Sequence, residues 1–173
     1  MKIIECVPNF SEGRDKTIIK KITDAIESIS GVTLLDVDPG ADTNRTVFTI
    51  VGNPESVIEA AFSGIKKASE IIDMRKHSGA HARMGATDVC PFVPISEITM
   101  DDCVEYSKIL AERVGKELKI PIFLYEYSAS TSERENLADI RSGEFEGMAD
   151  KLKTSKWKPD YGPSKPHNTA GVT

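Results

Sequence analysis

The sequence has no run of apolar residues long enough to cross a membrane, and its amino end, MKIIECVPNF, lacks the continuous apolar core of a signal peptide. Cysteine is scarce as well. Cys6, Cys90 and Cys103 show no CxxC spacing, and their odd number argues against a disulfide framework. A protein of the reducing cytoplasm, without a membrane partner, is therefore expected.

Other absences limit the function. The GxxxxGK[ST] pattern of a nucleotide-binding loop does not occur, and there are no internal repeats or low-complexity tracts. Acidic residues outnumber basic ones by 27 to 22, which argues against a nucleic-acid partner unless basic residues cluster locally. At 173 residues with 39% hydrophobic content, the chain can build one domain and needs no structural metal to fold.

The pattern of apolar residues predicts five strands and three long helices, and two short helices are expected in the polar stretch beyond residue 128. The strands are predicted at 2–7, 32–37, 45–52, 88–95 and 120–127. The helices are predicted within 15–31, from a cap at Asn53 to about Asp73, and from after Thr99 to about Leu118.

This order, β-α-β-β-α-β followed by another α-β unit, predicts an α/β (α+β) fold. The arrangement is a ferredoxin-like split βαβ, a mixed sheet with helices on one face. Because the other face would be left bare, it is expected to pack on a second subdomain or another subunit.

A basic stretch, RKHSGAHARMG at 75–85, contains Arg75, Lys76, His77, His81 and Arg83. It can be interpreted as a metal site, an anion-binding loop or a proton-transferring active site. The two histidines have the i, i+4 spacing of a helical zinc site, and Asp73, Asp88 or Cys90 could supply a third ligand. However, the glycines oppose a helix there, and the flanking cations would repel a divalent ion. Histidines that only cap a helix end remain the plainest alternative.

Two further polar clusters lie near predicted strand ends. DVDPGADTNRT, at 36–46, contains Asp38, Asn44 and Arg45, and VPNFSEG, at 7–13, contains Asn9. Seen alone, the first is typical of a hydrophilic turn and the second of a helix cap.

Taken together, six motifs resemble one family. They are ECVPNFSEG (5–13), LLDVD with TNRTVFTIVG (34–52), IDMRKHSGAHARMGATDVCPFVP (72–94), FLY (123–125), RSGEFE (141–146) and WKPDYGPS (157–164). In this order they resemble the amino-terminal subdomain of glutamate formiminotransferase (formimidoyltransferase), the transferase part of formiminotransferase-cyclodeaminase. The chain departs from the family at Ala82, where proline is usual, and in its last residues, KPHNTAGVT.

The resemblance implies a domain organisation. Residues 1–173 would be the amino-terminal subdomain, and 159–173 a linker-like tail toward a second subdomain that the chain lacks. The open sheet face would pack on that subdomain, or on a second copy in a homodimer, with the substrates between the two layers.

The resemblance also implies a reaction of histidine degradation and one-carbon metabolism. The formimino group of N-formimino-L-glutamate passes to tetrahydrofolate, a co-substrate, giving 5-formiminotetrahydrofolate and L-glutamate. His81 matches the family's catalytic histidine, and no metal is expected. The folate-contacting segment corresponds to Gly162, Pro163, Ser164, Lys165, Pro166, His167, Asn168, Thr169, Ala170 and Gly171.

The chemistry of this reaction suggests roles for the polar residues. The formimino group is cationic at neutral pH, so Asp38 is the candidate carboxylate beside it, with Asn44 and Arg45 positioning the substrate. The anionic glutamate and folate polyglutamate would be received by four cations, Arg45, Arg75, Lys76 and Arg83. The alternative function is a non-catalytic folate- or carboxylate-binding module that needs a partner for activity.

Overall fold

The structure, a computed structural model, describes residues 1–173 and contains six strands and five α-helices. The strands are β1 (Ile3–Cys6), β2 (Asn9–Phe10), β3 (Val32–Gly40), β4 (Arg45–Gly52), β5 (Thr87–Val89) and β6 (Phe92–Ser96). The helices are α1 (Lys16–Glu27), α2 (Pro54–Ile71), α3 (Met100–Arg113), α4 (Leu137–Arg141) and α5 (Glu144–Lys151). None of these helices combines the length and the apolar composition that a membrane span requires.

The six strands form one sheet with four strand positions, because β1 and β2 follow each other along one position and β5 and β6 along another. β3 pairs with β4 along its length, β4 pairs with β1 and β2, and these pair with β6 and β5. The predicted strands 2–7 and 88–95 are thus each replaced by two short strands, β1 with β2 and β5 with β6. Pro8 and Pro91 lie at the breaks, where a residue without a backbone N–H cannot donate to a ladder.

The predicted ferredoxin-like fold class is confirmed, with one correction. Every pairing in the sheet is antiparallel, so the sheet is not mixed. In a split βαβ arrangement, each strand lies beside a strand of the other βαβ unit, which runs in the opposite direction.

The helices cover one face of the sheet. α1 begins at Asp15, whose side chain accepts hydrogen bonds from the first turn, and it buries an apolar stripe against α2 and β3. α2 in turn packs on β1. Apolar side chains remain at the surface elsewhere on the sheet, where Leu35 of β3 is 57% exposed and Ile95 of β6 is 55% exposed.

The predicted strand at 120–127 is wrong as a member of the sheet. These residues are largely buried, but they form only an isolated bridge, between Ile122 and Tyr161. The backbone N–H of Ile122 donates to the Tyr161 carbonyl at 2.9 Å. The Phe123 N–H donates to the Thr173 carbonyl and the Thr173 N–H donates to the Pro121 carbonyl, each at 3.0 Å. The tail therefore takes the hydrogen bonds that a sheet edge would have provided.

The predicted helices are confirmed with shorter ends. α1 stops at Glu27 and α2 at Ile71. α3 gives way at Val114 to a π-helical turn that ends at Lys119 in the left-handed conformation. Each difference lies at a terminus, where helices fray or tighten.

Residues 159–173 fold back onto the body of the protein. The Ala86 N–H donates to the Ala170 carbonyl at 2.9 Å, and the Val172 N–H donates to the Met84 carbonyl at 3.1 Å. Val172 joins α4 and α5 in a small second core. That these residues lead toward a second subdomain stays a prediction.

The close approach of the tail to Gly85 gives a test of this packing. A Cβ added at Gly85 would lie 2.0 Å from the Val172 carbonyl oxygen, whereas one added at Gly147 in α5 would meet nothing within 4 Å. We expect Gly85→Ala to lower the free energy of unfolding by about 1–3 kcal/mol. Gly147→Ala should raise it, by up to about 1 kcal/mol, because alanine is the better helix former. Urea unfolding of both variants checks this, and equal stabilities would contradict the packing.

Candidate active site

A buried carboxylate, that of Asp88 in β5, organises the polar residues at one end of the sheet. It is fully buried. Its Oδ2 accepts hydrogen bonds from Arg45 Nη1 at 2.5 Å and from Arg141 Nη2 at 2.7 Å, while Oδ1 accepts from the Met84 N–H at 2.8 Å. Two cations and a backbone donor thus compensate one buried negative charge.

Arg45, the first residue of β4, is held by contacts on several sides. Besides its ion pair with Asp88, its Nε donates to Asn9 Oδ1 at 2.8 Å. Its Nη1 also lies 3.3 Å from Nδ1 of His81. The predicted site residues Arg45 and His81 are therefore brought together, although 36 residues separate them in the sequence.

His81 has one ring nitrogen engaged and the other free. Nδ1 lies 2.6 Å from the Ala82 carbonyl oxygen, which can only accept, and we assign the proton to Nδ1 because this is its shorter contact. Arg45 Nη1, also a donor, lies at the longer distance of 3.3 Å from the same nitrogen, a contact that is a hydrogen bond only in the other tautomer. Nε2 makes no hydrogen bond in the structure and, in the neutral ring, has a lone pair that can take a proton.

His77 differs, because both of its nitrogens are used. Nε2–H donates to the Asn44 carbonyl at 2.8 Å, and Nδ1 accepts from Arg83 Nε at 3.2 Å. Burial lowers the pKa of His77, and the nearby charge of Arg83 lowers it further. The hydrogen bond to the Asn44 carbonyl raises the pKa but does not offset this lowering. His77 thus connects two loops in its neutral form and offers no free nitrogen.

Asn44 fixes the turn between β3 and β4 to the histidine loop, residues 77–83. It adopts a positive φ of 50°, and its side chain is nearly fully buried. Its Oδ1 accepts from the Gly13 N–H and its Nδ2 donates to the Ser78 carbonyl, each at 2.9 Å. With these bonds in place, the amide contributes to the shape of the site.

Asp38 lies on β3, which extends three residues beyond its predicted end. It is paired in register with Val47, two residues from Arg45, so Asp38 and Arg45 belong to the same face of the sheet. Asp38 is exposed and takes part in no ion pair. Its carboxylate is free to meet a cation from solution.

The three remaining predicted cations differ in availability. Arg75 is exposed but forms a bidentate ion pair with Asp73, in which Nε donates to Oδ1 and Nη2 donates to Oδ2, each at 2.8 Å. Lys76 is exposed and lies 3.9 Å from the same carboxylate.

Arg83, in contrast, is buried and pairs with Glu144 and Glu146 at 3.2 and 2.7 Å. Its hydrogen bonds lower the pKa of Glu146 to about 2. Substrate binding by Arg83 would require these two pairs to open.

The two halves of the predicted folate segment, residues 162–171, pack against different parts of the protein. Its second half adjoins the histidine loop, since the Met74 N–H donates to the Thr169 carbonyl at 2.8 Å and Gly171 bridges to Gly85. Its first half packs elsewhere, with Gly162 against Gly115 and Ile120. Four of its side chains are exposed, namely Pro163, Ser164, Lys165 and Asn168.

Sequence reasoning missed Arg141, considered Asp88 only as a possible metal ligand and gave no role to Asn9 in the site. The one signal for Asp88 was an acidic residue inside the apolar stretch ATDVCPFVP, where a charge has to be paired. Arg141 opens the family motif RSGEFE, but nothing in that motif points to Asp88, which lies 53 residues away.

These features define an α+β protein whose candidate site holds a histidine, free at Nε2, beside a fixed guanidinium. Such an arrangement suits proton transfer to or from an anionic substrate. No group of three or more His, Cys, Asp or Glu side chains is placed to hold a metal ion.

Comparison with known proteins agrees with the sequence motifs. Residues 3–173 match the family described as Formiminotransferase domain, N-terminal subdomain, and the chain belongs to this family. It is 59% identical to the Glutamate formimidoyltransferase of Streptococcus pyogenes serotype M1 over 99% of this chain and 58% of that protein. It is 55% identical to the Formimidoyltransferase-cyclodeaminase of Dictyostelium discoideum over 99% of this chain and 32% of that protein. It is 48% identical to the Glutamate formimidoyltransferase of Thermoplasma acidophilum over 95% of this chain and 55% of that protein. The chain therefore spans between 32% and 58% of the length of these curated relatives.

The buried pair of Asp88 and Arg45 can be tested by stability. We expect Asp88→Asn to lower the free energy of unfolding by about 3–5 kcal/mol, because two guanidinium groups lose their buried counter-charge. Asp38→Asn, on the exposed part of β3, is the matched control and should leave stability unchanged. Urea unfolding measures both. Equal effects of the two substitutions would show that Asp88 does not hold the site together.

The lowered pKa of His77 predicts a dependence of stability on pH. In the unfolded chain its pKa is about 6.5. Between that value and the lower folded pKa, the unfolded state binds more protons, so stability falls as the pH falls through this window. In His77→Gln this component should be absent. A stability difference between wild type and variant that stays constant from about pH 7.5 to about pH 5 would contradict it.

Proposed function

We propose that this chain is the amino-terminal half of a glutamate formimidoyltransferase of the cytoplasm. The enzyme transfers the formimino group of N-formimino-L-glutamate to tetrahydrofolate in the degradation of histidine. The observation that carries the proposal is the free Nε2 of His81, held beside Arg45, in a chain 59% identical to a protein named for this transfer.

The proton steps suit a single imidazole. A ring nitrogen of tetrahydrofolate attacks the amidine carbon and, in the tetrahedral intermediate, must lose a proton, while the departing glutamate nitrogen must gain one. Nε2 of His81 takes the first proton and returns it to the leaving nitrogen. The bond from Nδ1–H to the Ala82 carbonyl keeps the ring in the tautomer that this role requires.

Two exposed charges are proposed to meet the two ends of formiminoglutamate. The cationic formimino group meets the unpaired carboxylate of Asp38, on the face of the sheet that also presents Arg45. Lys76, which is exposed and only loosely paired, is the best placed of the predicted cations to meet a carboxylate of glutamate or of the polyglutamate tail. Asn44 acts by holding the turn to the histidine loop.

The folate is proposed to lie along the part of the tail that borders the histidine loop, His167 to Gly171. Three backbone contacts, to residues 74, 85 and 86, keep this part of the tail next to the loop. Residues 162–165 lie farther along the surface and would contact only a more distant part of the folate.

A second subdomain is proposed to complete the site. The curated relatives are longer than this chain, and apolar side chains such as Leu35 and Ile95 are exposed on the sheet. A covering layer would bury these residues and exclude water from the reacting groups.

Substitution of His81 is the sharpest test of its role. In this chain joined to the remainder of its transferase, His81→Gln should reduce kcat about 10²- to 10⁴-fold while KM changes little, because a proton carrier acts mainly in the transition state. His77→Gln, which removes an orienting histidine of the same loop, is the control and should cost less. Retained turnover in His81→Gln would overturn the assignment.

The transfer assay itself should be run on this chain alone and on the joined protein. Formimino transfer from formiminoglutamate to tetrahydrofolate is expected from the joined protein. If the joined protein binds folate but transfers nothing, the function is that of a non-catalytic binding module.

A further inference from the structure

Two of the three cysteines lie in contact, although 84 residues separate them in the sequence. The sulfur atoms of Cys6 and Cys90 are 3.5 Å apart, and both residues are free thiols. Cys6 ends β1, while Cys90 sits in the break between β5 and β6. The contact lies two residues from Asp88 and so adjoins the candidate active site.

The two thiols differ in access to solvent. Cys6 is completely buried in the main core, whereas Cys90 is half-buried. Cys90 also lines a mainly apolar cavity of about 250 Å³ between α3 and the segment 122–128, which Cys6 does not reach. A small neutral oxidant such as a peroxide can therefore reach Cys90 first.

We propose that Cys6 and Cys90 form a redox modification site, which a peroxide closes to an intramolecular disulfide and a dithiol reductant opens again. The third cysteine, Cys103, lines the same cavity from α3, but burial raises the pKa of its thiol. It makes no sulfur contact with Cys6 or Cys90, so it has no partner with which to close a disulfide and is expected to stay reduced.

The reaction balances with one peroxide. The Cys90 thiolate attacks a peroxide oxygen, the O–O bond breaks, and the leaving hydroxide takes up a proton to give water and a Cys90 sulfenic acid. The Cys6 sulfur then attacks the Cys90 sulfur. An S–S bond forms, the S–O bond breaks, and the second hydroxide leaves with the Cys6 proton as water. Two thiols lose two electrons, and the peroxide gains them.

The local structure favours this order of events. Burial raises the pKa of the Cys6 thiol, and the hydrogen bond to Cys90 raises it further, so Cys6 is the resolving and not the attacking sulfur. Closing the bond brings the sulfur atoms from 3.5 Å to about 2.05 Å. The irregular link at Cys90 and Pro91 lies outside both strands, so it can move without breaking a strand.

The test uses the full chain, reduced and then freed of reductant. After treatment with hydrogen peroxide in the presence of a metal chelator, the protein is unfolded, alkylated and digested without reduction. We expect the intact mass to fall by two hydrogens, a single alkylated cysteine, Cys103, and a cross-linked pair of peptides carrying Cys6 and Cys90. Dithiothreitol should restore all three thiols.

Matched variants locate the bond. Cys103→Ala should form it as the wild type does, and Cys6→Ala or Cys90→Ala should not. The wild-type peptide map decides the question even if Cys6→Ala folds poorly. Three alkylated cysteines after peroxide, a link from Cys90 to Cys103, a link between two chains, or Cys90 sulfinic acid without a cross-link would each overturn the proposal.

Discussion

The buried carboxylate of Asp88 is the constraint on which the rest of the site depends. A carboxylate without solvent is costly unless charges and donors compensate it, and here two guanidinium groups and a backbone N–H do so. Arg45 brings in β4 and Arg141 brings in α4, so one charge connects the sheet to the carboxyl-terminal helices. Because Asp88 fixes Arg45, it also fixes the surroundings of His81, and a stable core and an ordered site share the same interaction.

The two histidines of the basic loop show how the same residue type takes two roles. Both ring nitrogens of His77 form hydrogen bonds within the fold, one to the backbone carbonyl of Asn44 and one to Arg83. In His81 only Nδ1 is engaged, with the carbonyl of the adjacent Ala82, and Nε2 is free. The first keeps the loop against the turn between β3 and β4, so that the second has a defined position from which to move a proton.

Local patterns in the sequence predicted what local physics decides. The three long helices follow from apolar periodicity and from caps such as Asn53 and Thr99, whose side chains accept backbone hydrogen bonds in the structure. The segment 120–127 has the composition of a strand, but its hydrogen-bond partner is the distant tail, which periodicity cannot reveal. The roles of Asp88 and Arg141 could not be predicted either, because a pair 43 or 53 residues apart exists only once the chain has folded. The sequence assigned His81 and Arg45 to the same site, but their contact was not predicted, since neither residue carries a local sign of the other.

The most direct test of the account is the tautomer of each imidazole, measured by long-range ¹H–¹⁵N correlation NMR at a pH at which the imidazole rings are neutral. The chain has three histidines, so each signal can be assigned with a single substitution. The account predicts a proton on Nδ1 of His81, with a free Nε2, and a proton on Nε2 of His77. A proton on Nε2 of His81 would contradict it, because that nitrogen could then not act as the base.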